Sequence, residues 1–149
     1  MATMTLSTAA VGREFPPFEY EVGREKIREY ATAVGFEEAI HFDPDEAREA
    51  GFRDVVAPPM FCVVYSAGAI GPALFDPEVG MDFARMVHGA QAFEWGEPVC
   101  SGDLITTTAT CISIEERDDK GFYVFESRSV NGDGAETVRG TWTNIVRGA

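Results

Sequence analysis

His41 is one of two histidines in a chain of 149 residues, and Glu37, Glu38 and Asp43 lie within four residues of it. Imidazole exchanges a proton near neutral pH, and a carboxylate beside it can complete an acid/base pair. The candidate chemistry is therefore proton transfer by His41 with Glu37 or Glu38. The spacing puts His41 in a loop, Phe36 to Phe42, where exposure is the ordinary expectation. The other histidine, His88, falls inside a predicted strand and reads as a packed or edge residue. A glycine-rich phosphate loop, a metal-ligand spacing and a nucleophile elbow are all missing from the sequence. Cys62, Cys100 and Cys111 are odd in number, which suits buried reduced thiols in a cytoplasmic protein. No metal or cofactor is expected.

The elements that must position His41 are organised around Val55 to Phe75, a stretch with no charged residue. Proline fits the first turn of a helix and stops one further on, so Pro58, Pro59 and Pro72 predict a helix from Pro59 to Gly71. It is apolar on nearly all sides, and at about 13 residues it is too short to span a bilayer, so it is a core helix. Before it, Phe18 to Val22 alternates as a short strand. Glu25 to Val34 has helical spacing, with Gly35 placed to end it. Asp43, Pro44 and Glu46 are the N-cap, N1 and N3 residues of a second short helix.

Beyond Arg85 the pattern is that of strands: Met86 to Trp95, Leu104 to Ile114, Phe122 to Val130 and Glu136 to Val146. Turns at Gly96 to Pro98, Asp118 to Gly121 and Asn131 to Gly134 separate them. Helices followed by a meander of strands indicate an α+β domain. One buried helix wrapped by an antiparallel sheet is the hot-dog architecture.

The length suits one domain over residues 1–149, with residues 1–10 as a loose tail rather than a secretory signal. The net charge of −13 argues against nucleic acid and against an anionic membrane surface. Arg24, Lys26 and Arg28 read as a solvated helix face, with a patch for a phosphate-bearing ligand as the alternative.

Three features together resemble a known family. They are the loop from Gly35 to Pro44, the run Val55-Val56-Ala57-Pro58-Pro59-Met60, and Glu97-Pro98-Val99-Cys100-Ser101-Gly102-Asp103. In order and spacing they are similar to the MaoC-like hot-dog dehydratases, in particular the group named for the N-terminal half of MaoC dehydratase. Substrate-binding subunits of mycobacterial (3R)-hydroxyacyl-ACP dehydratases are of this kind. The likeness spans Val11 to Arg147.

Active members of that family carry Gly-Asp-x-Asn-Pro-x-His followed by Asp-Pro, and the Asp and His add or remove water across an enoyl thioester. Laid on this chain, the motif gives Gly35, His41 and Asp43-Pro44. The Asp position holds Phe36, the Asn position Glu38 and the Pro position Ala39. Active members also carry His-Gly-Met at the start of the core helix, where the Gly N–H polarises the thioester carbonyl. Here those positions are Pro58-Pro59-Met60, and proline has no N–H.

The resemblance thus implies a hydro-lyase of fatty acid metabolism acting on acyl-CoA or acyl-ACP, working as a homodimer or as a heterodimer with a catalytic MaoC-like subunit. This chain would be the acyl-thioester-binding subunit, with Pro58, Pro59, Met60, Phe61, Val64 and Tyr65 along the acyl tunnel. The rival expectations are an active homodimer using His41 with Glu37 or Glu38, a hot-dog thioesterase, and a non-enzymatic acyl-CoA-binding protein.

Overall fold

β-branched and aromatic residues alternate through the second half of the chain, and they become β2 (Met86–Trp95), β3 (Leu104–Arg117), β4 (Lys120–Val130) and β5 (Glu136–Arg147). With β1 (Phe18–Glu21) they form one antiparallel sheet in the order β1-β3-β4-β5-β2. The computed structural model describes residues 6–148. Asp118 and Asp119 take φ of 51° and 58° and make the β3–β4 turn alone. Lys120 and Gly121, expected in that turn, instead pair with Arg117 and Glu116.

The inner face of the sheet holds α3 (Cys62–Leu74), entered through a 3₁₀ turn at Pro59–Phe61. The helix was expected to stop at Gly71, yet it runs through Pro72 to Leu74. Pro72 sits in the last turn, where a lost hydrogen bond matters least. At Gly68 a Cβ would stand 2.5 Å from the Phe18 ring, so β1 can lie against the helix only because this residue has no side chain. Burial is one-sided: Cys62, Tyr65, Ser66, Ala69, Ile70 and Ala73 are covered, while Ala67 and Pro72 are exposed. This corrects the expectation of a helix buried nearly all round, because five strands cover only one of its faces. The arrangement is the hot-dog fold.

Two short helices precede α3. In α1 (Arg24–Val34), Ile27 and Ala31 are buried, and Gly35 closes the helix at φ 85°. In α2 (Pro44–Glu49), Asp43 caps the N-terminus by accepting from the N–H groups of Asp45 at 2.9 Å and Glu46 at 3.4 Å.

Of the tail expected over residues 1–10, residues 1–5 lie outside the described residues. Leu6 packs against the core and Ala10 is fully buried. Just beyond, Gly12 N–H donates to Cys111 O at 2.7 Å and Phe15 N–H to Ala109 O at 2.8 Å. Residues 12–15 and β1 therefore line the outer side of β3, with Pro16 and Pro17 between them. At the opposite side of the sheet β2 pairs only with β5. All three cysteines are buried and unpaired. Among the described residues, no helix is long and apolar enough to cross a membrane.

Candidate active site

His41 is held between two helix ends. Gly35 turns the chain out of α1, and Phe36 N–H donates back to Ala31 O at 2.9 Å. A 3₁₀ turn at Ala39–His41 follows, and Asp43 N–H donates to Ala39 O at 2.8 Å just before the α2 cap. The imidazole was expected at the surface but is only 6% exposed. The reason is a long-range bond: His41 Nδ1 lies 2.6 Å from Val56 O. A carbonyl can only accept, so Nδ1 carries the hydrogen and Nε2 keeps the lone pair that can take up a proton. Val56 N–H donates in turn to Ile40 O at 2.9 Å, which locks the two segments together. Phe36 stands edge-on to the imidazole, with ring centroids 5.2 Å apart.

A cavity of about 420 Å³ opens beside His41. Glu38, Ile40 and His41 form one wall, Val56 to Pro59 a second, and Trp95 to Val99 a third, with Tyr65 and Thr137 also on the lining. Trp95 Nε1 donates to Pro59 O at 2.8 Å and ties the second and third walls together. The structure thus brings together His41, Glu38, Pro58, Pro59 and Tyr65 among the residues singled out from sequence. It leaves the others elsewhere. Glu37 is exposed and off the cavity, and Met60 is 45% exposed. Phe61 is fully buried against the Tyr20 and Tyr30 rings, and Val64 packs on the same cluster. Sequence reasoning missed Ile40, Trp95, Pro98, Val99 and Thr137. The turn Gly96-Glu97-Pro98 after a strand ending in an exposed aromatic was the one usable signal for the third wall.

Deep in the cavity the titratable groups beside His41 are neutral. Burial pushes the Tyr65 phenol well above its ordinary value, with a smaller opposing pull from the Thr137 hydroxyl. Burial likewise pushes the nearby Cys62 thiol up to about 11, against a weaker pull from Trp95. Both stay protonated at neutral pH. His88 stands exposed on β2, its ring 6.2 Å from that of Trp142. The basic residues of α1 are engaged in ion pairs: Arg24 with Asp54 at 2.8 Å, Lys26 with Glu29 at 3.6 Å, and Arg28 with Glu25. Among the described residues, no cluster of three His, Cys, Asp or Glu side chains could hold a metal ion.

Chemically, the site offers one buried base, His41, in a mostly apolar cavity whose rim also carries the exposed carboxylates of Glu38 and Glu97. The ring packed against His41 is that of Phe36, which can neither give nor take a proton. The turn that opens α3 presents Pro58 and Pro59, neither with an N–H for a developing oxyanion.

The sequence model of the FAS1-like, dehydratase domain region matches residues 9–138. The chain belongs to this family. A UPF0336 protein of Clavibacter michiganensis subsp. michiganensis is 42% identical over 97% of this chain and 98% of its own. Among solved structures, this FAS1-like dehydratase domain is similar to a chain of the C-terminally truncated HadBC (3R-hydroxyacyl-ACP dehydratase) complex from Mycobacterium tuberculosis. The TM-score is 0.80 at 27% identity, covering 94% of this chain and 99% of that one. It is also similar to a MaoC-like dehydratase, with TM-score 0.81 and 27% identity over 95% of this chain but 43% of that longer one. The hot-dog, MaoC-like character expected from residues 35–44, 55–60 and 97–103 is thus established.

Proposed function

We propose that this chain is the acyl-thioester-binding subunit of an enoyl-CoA or enoyl-ACP hydratase, a (3R)-hydroxyacyl-thioester dehydratase, and that it pairs with a catalytic MaoC-like subunit. The observation that carries this is the state of its own cavity. His41 is positioned as a base, while Phe36 fills the carboxylate position and Pro59 removes the backbone donor. Hydration adds water as hydroxide to Cβ and a proton to Cα, and one imidazole without a partner acid and an oxyanion donor does this poorly. The apolar lining still suits an acyl chain, and the chemistry needs no cofactor beyond the thioester carrier. The similarity to a chain of the HadBC complex supports pairing, as does the free edge of β2.

The test is crotonyl-CoA hydration by the chain alone and together with a MaoC-like subunit whose Asp and His are intact. Turnover by the pair, with little from either chain alone, is the expected result. Equal turnover by this chain alone would overturn the reading. A second reading has one observation in its favour: Glu38 lines the same cavity as His41. An active homodimer would use that pair, and Glu38→Gln would then abolish its turnover. Release of free CoA would point to a thioesterase, and binding without turnover under any pairing to a non-enzymatic acyl-CoA-binding protein.

A further inference from the structure

Pro59 offers the cavity no N–H, and several neighbouring backbone donors are already taken. The N–H groups of Val56, Ala57, Gly96 and Glu97 are engaged with Ile40 O, Val99 O, Thr137 O and Glu136 O, all at 2.8–2.9 Å. Pro58 and Pro98 have none, and the Trp95 indole N–H is held by Pro59 O. Among the side chains of the lining, the Tyr65 phenol is a strong donor. Tyr65 is 2% exposed, yet it borders the same cavity as His41, Pro58 and Pro59. Helical side chains lean toward the N-terminus of their helix. Tyr65 does so, its ring packing on Phe61 with centroids 6.2 Å apart, which carries the phenol toward the Pro59 end. The Thr137 hydroxyl, which also lines the cavity, gives its own proton to Ser129 O at 3.3 Å. A buried hydroxyl gains from a ligand acceptor, because much of the surrounding wall is apolar.

We propose that Tyr65 donates its phenolic hydrogen to the carbonyl oxygen of an acyl thioester bound in the cavity, standing in for the N–H that Pro59 lacks. This rests on the cavity being a thioester site. Burial keeps the phenol protonated, as a donor must be, and a neutral phenol of this kind can carry an oxyanion-type contact without any backbone group. The chain would then polarise a thioester carbonyl while lacking the second acid/base group, so that it binds and orients the thioester without hydrating it.

Butyryl-CoA labelled with ¹³C at the carbonyl has no double bond to hydrate and reports the contact directly. In complex with the wild-type chain its infrared carbonyl band is expected to shift to lower wavenumber than in solution. Tyr65→Phe, checked for folding by circular dichroism, should return the band toward the solution position and weaken binding by about tenfold. Adding Pro59→Gly to Tyr65→Phe restores an N–H and should bring the shift back. Binding with an unshifted band in the wild type, or a shift that survives Tyr65→Phe, would overturn the assignment to Tyr65. Failure to bind butyryl-CoA at all would overturn the thioester reading, and the Tyr65 contact with it.

Discussion

The two ends of α3 lie under the same sheet but in differently packed surroundings. Around Ala69 and Ala73 the interior is solid: Phe125 and Tyr123 are essentially fully buried, and Phe15 meets Phe125 edge-on with centroids 6.4 Å apart. Around Tyr65 and Val99 the lining is also mainly apolar, yet about 420 Å³ stays open. Hydrophobicity therefore does not separate the two ends. Their walls do. At the solid end side chains from helix and strands meet and interdigitate. At the open end two of the three walls are backbone segments stiffened by Pro58, Pro59 and Pro98 and cross-braced by Trp95 to Pro59 O. A wall of braced prolines cannot slump into a void.

This contrast can be broken in a graded way. Phe125→Ala, at the solid end, should lose about 3–5 kcal/mol in urea unfolding, since it opens a cavity in close packing. Overfilling separates the ends more directly. Ala69→Leu should lose about 1–3 kcal/mol by overpacking. Val99→Phe, directed at the open end, should lose less than that and should abolish butyryl-CoA binding measured by calorimetry. Equal losses at the two sites would mean that the open end is no roomier than the solid one.

His41→Ala should lose on the order of 1 kcal/mol, because it removes the donor to the Val56 carbonyl and loosens the brace between the loop and the second wall. Thermal unfolding in the presence and absence of ligand measures both consequences. The smallest effect is expected in acid. The Asp54 carboxyl is held at about 2, below its ordinary 3.8, mainly by the Arg24 guanidinium, and it also accepts the Val55 N–H at 2.8 Å. Its contribution is fully present above about pH 4 and is lost as pH falls toward about 2. Arg24→Gln should flatten that limb of the stability curve in urea titrations. Because Asp54 sits at the root of the second wall, protonating it should weaken the open end first.

The elements were legible in the sequence because their signals are local. The Asp43 cap, the Gly35 stop and the alternation of β4 are each written within about a dozen residues. The cavity was only half legible because its geometry depends on partners far apart in the chain. Nothing near His41 announces that Val56, fifteen residues on, will draw its ring inside, and nothing near Trp95 announces the bond to Pro59. Met60, Phe61, Val64 and Tyr65 look alike in an uncharged stretch, and only the helix rotation decides among them. It turns Met60 to solvent, Phe61 and Val64 to the core and Tyr65 to the cavity. Phe36 was legible as a departure from the family pattern, while its contact with the imidazole was not.

The sheet is unequal at its two margins. On one side, residues 12–15 and the four-residue β1 cover β3 with a short, acidic border interrupted by Pro16 and Pro17, a margin unfit to template another strand. On the other, β2 offers ten residues of backbone with no strand paired outside it among the described residues. A chain so built has one adhesive side and one inert side. When two such margins meet about a two-fold axis, each satisfies the other and no reactive margin is left over. Were the proposed pairing to run through β2, a two-fold pair would use up both exposed margins and leave none to template a further strand.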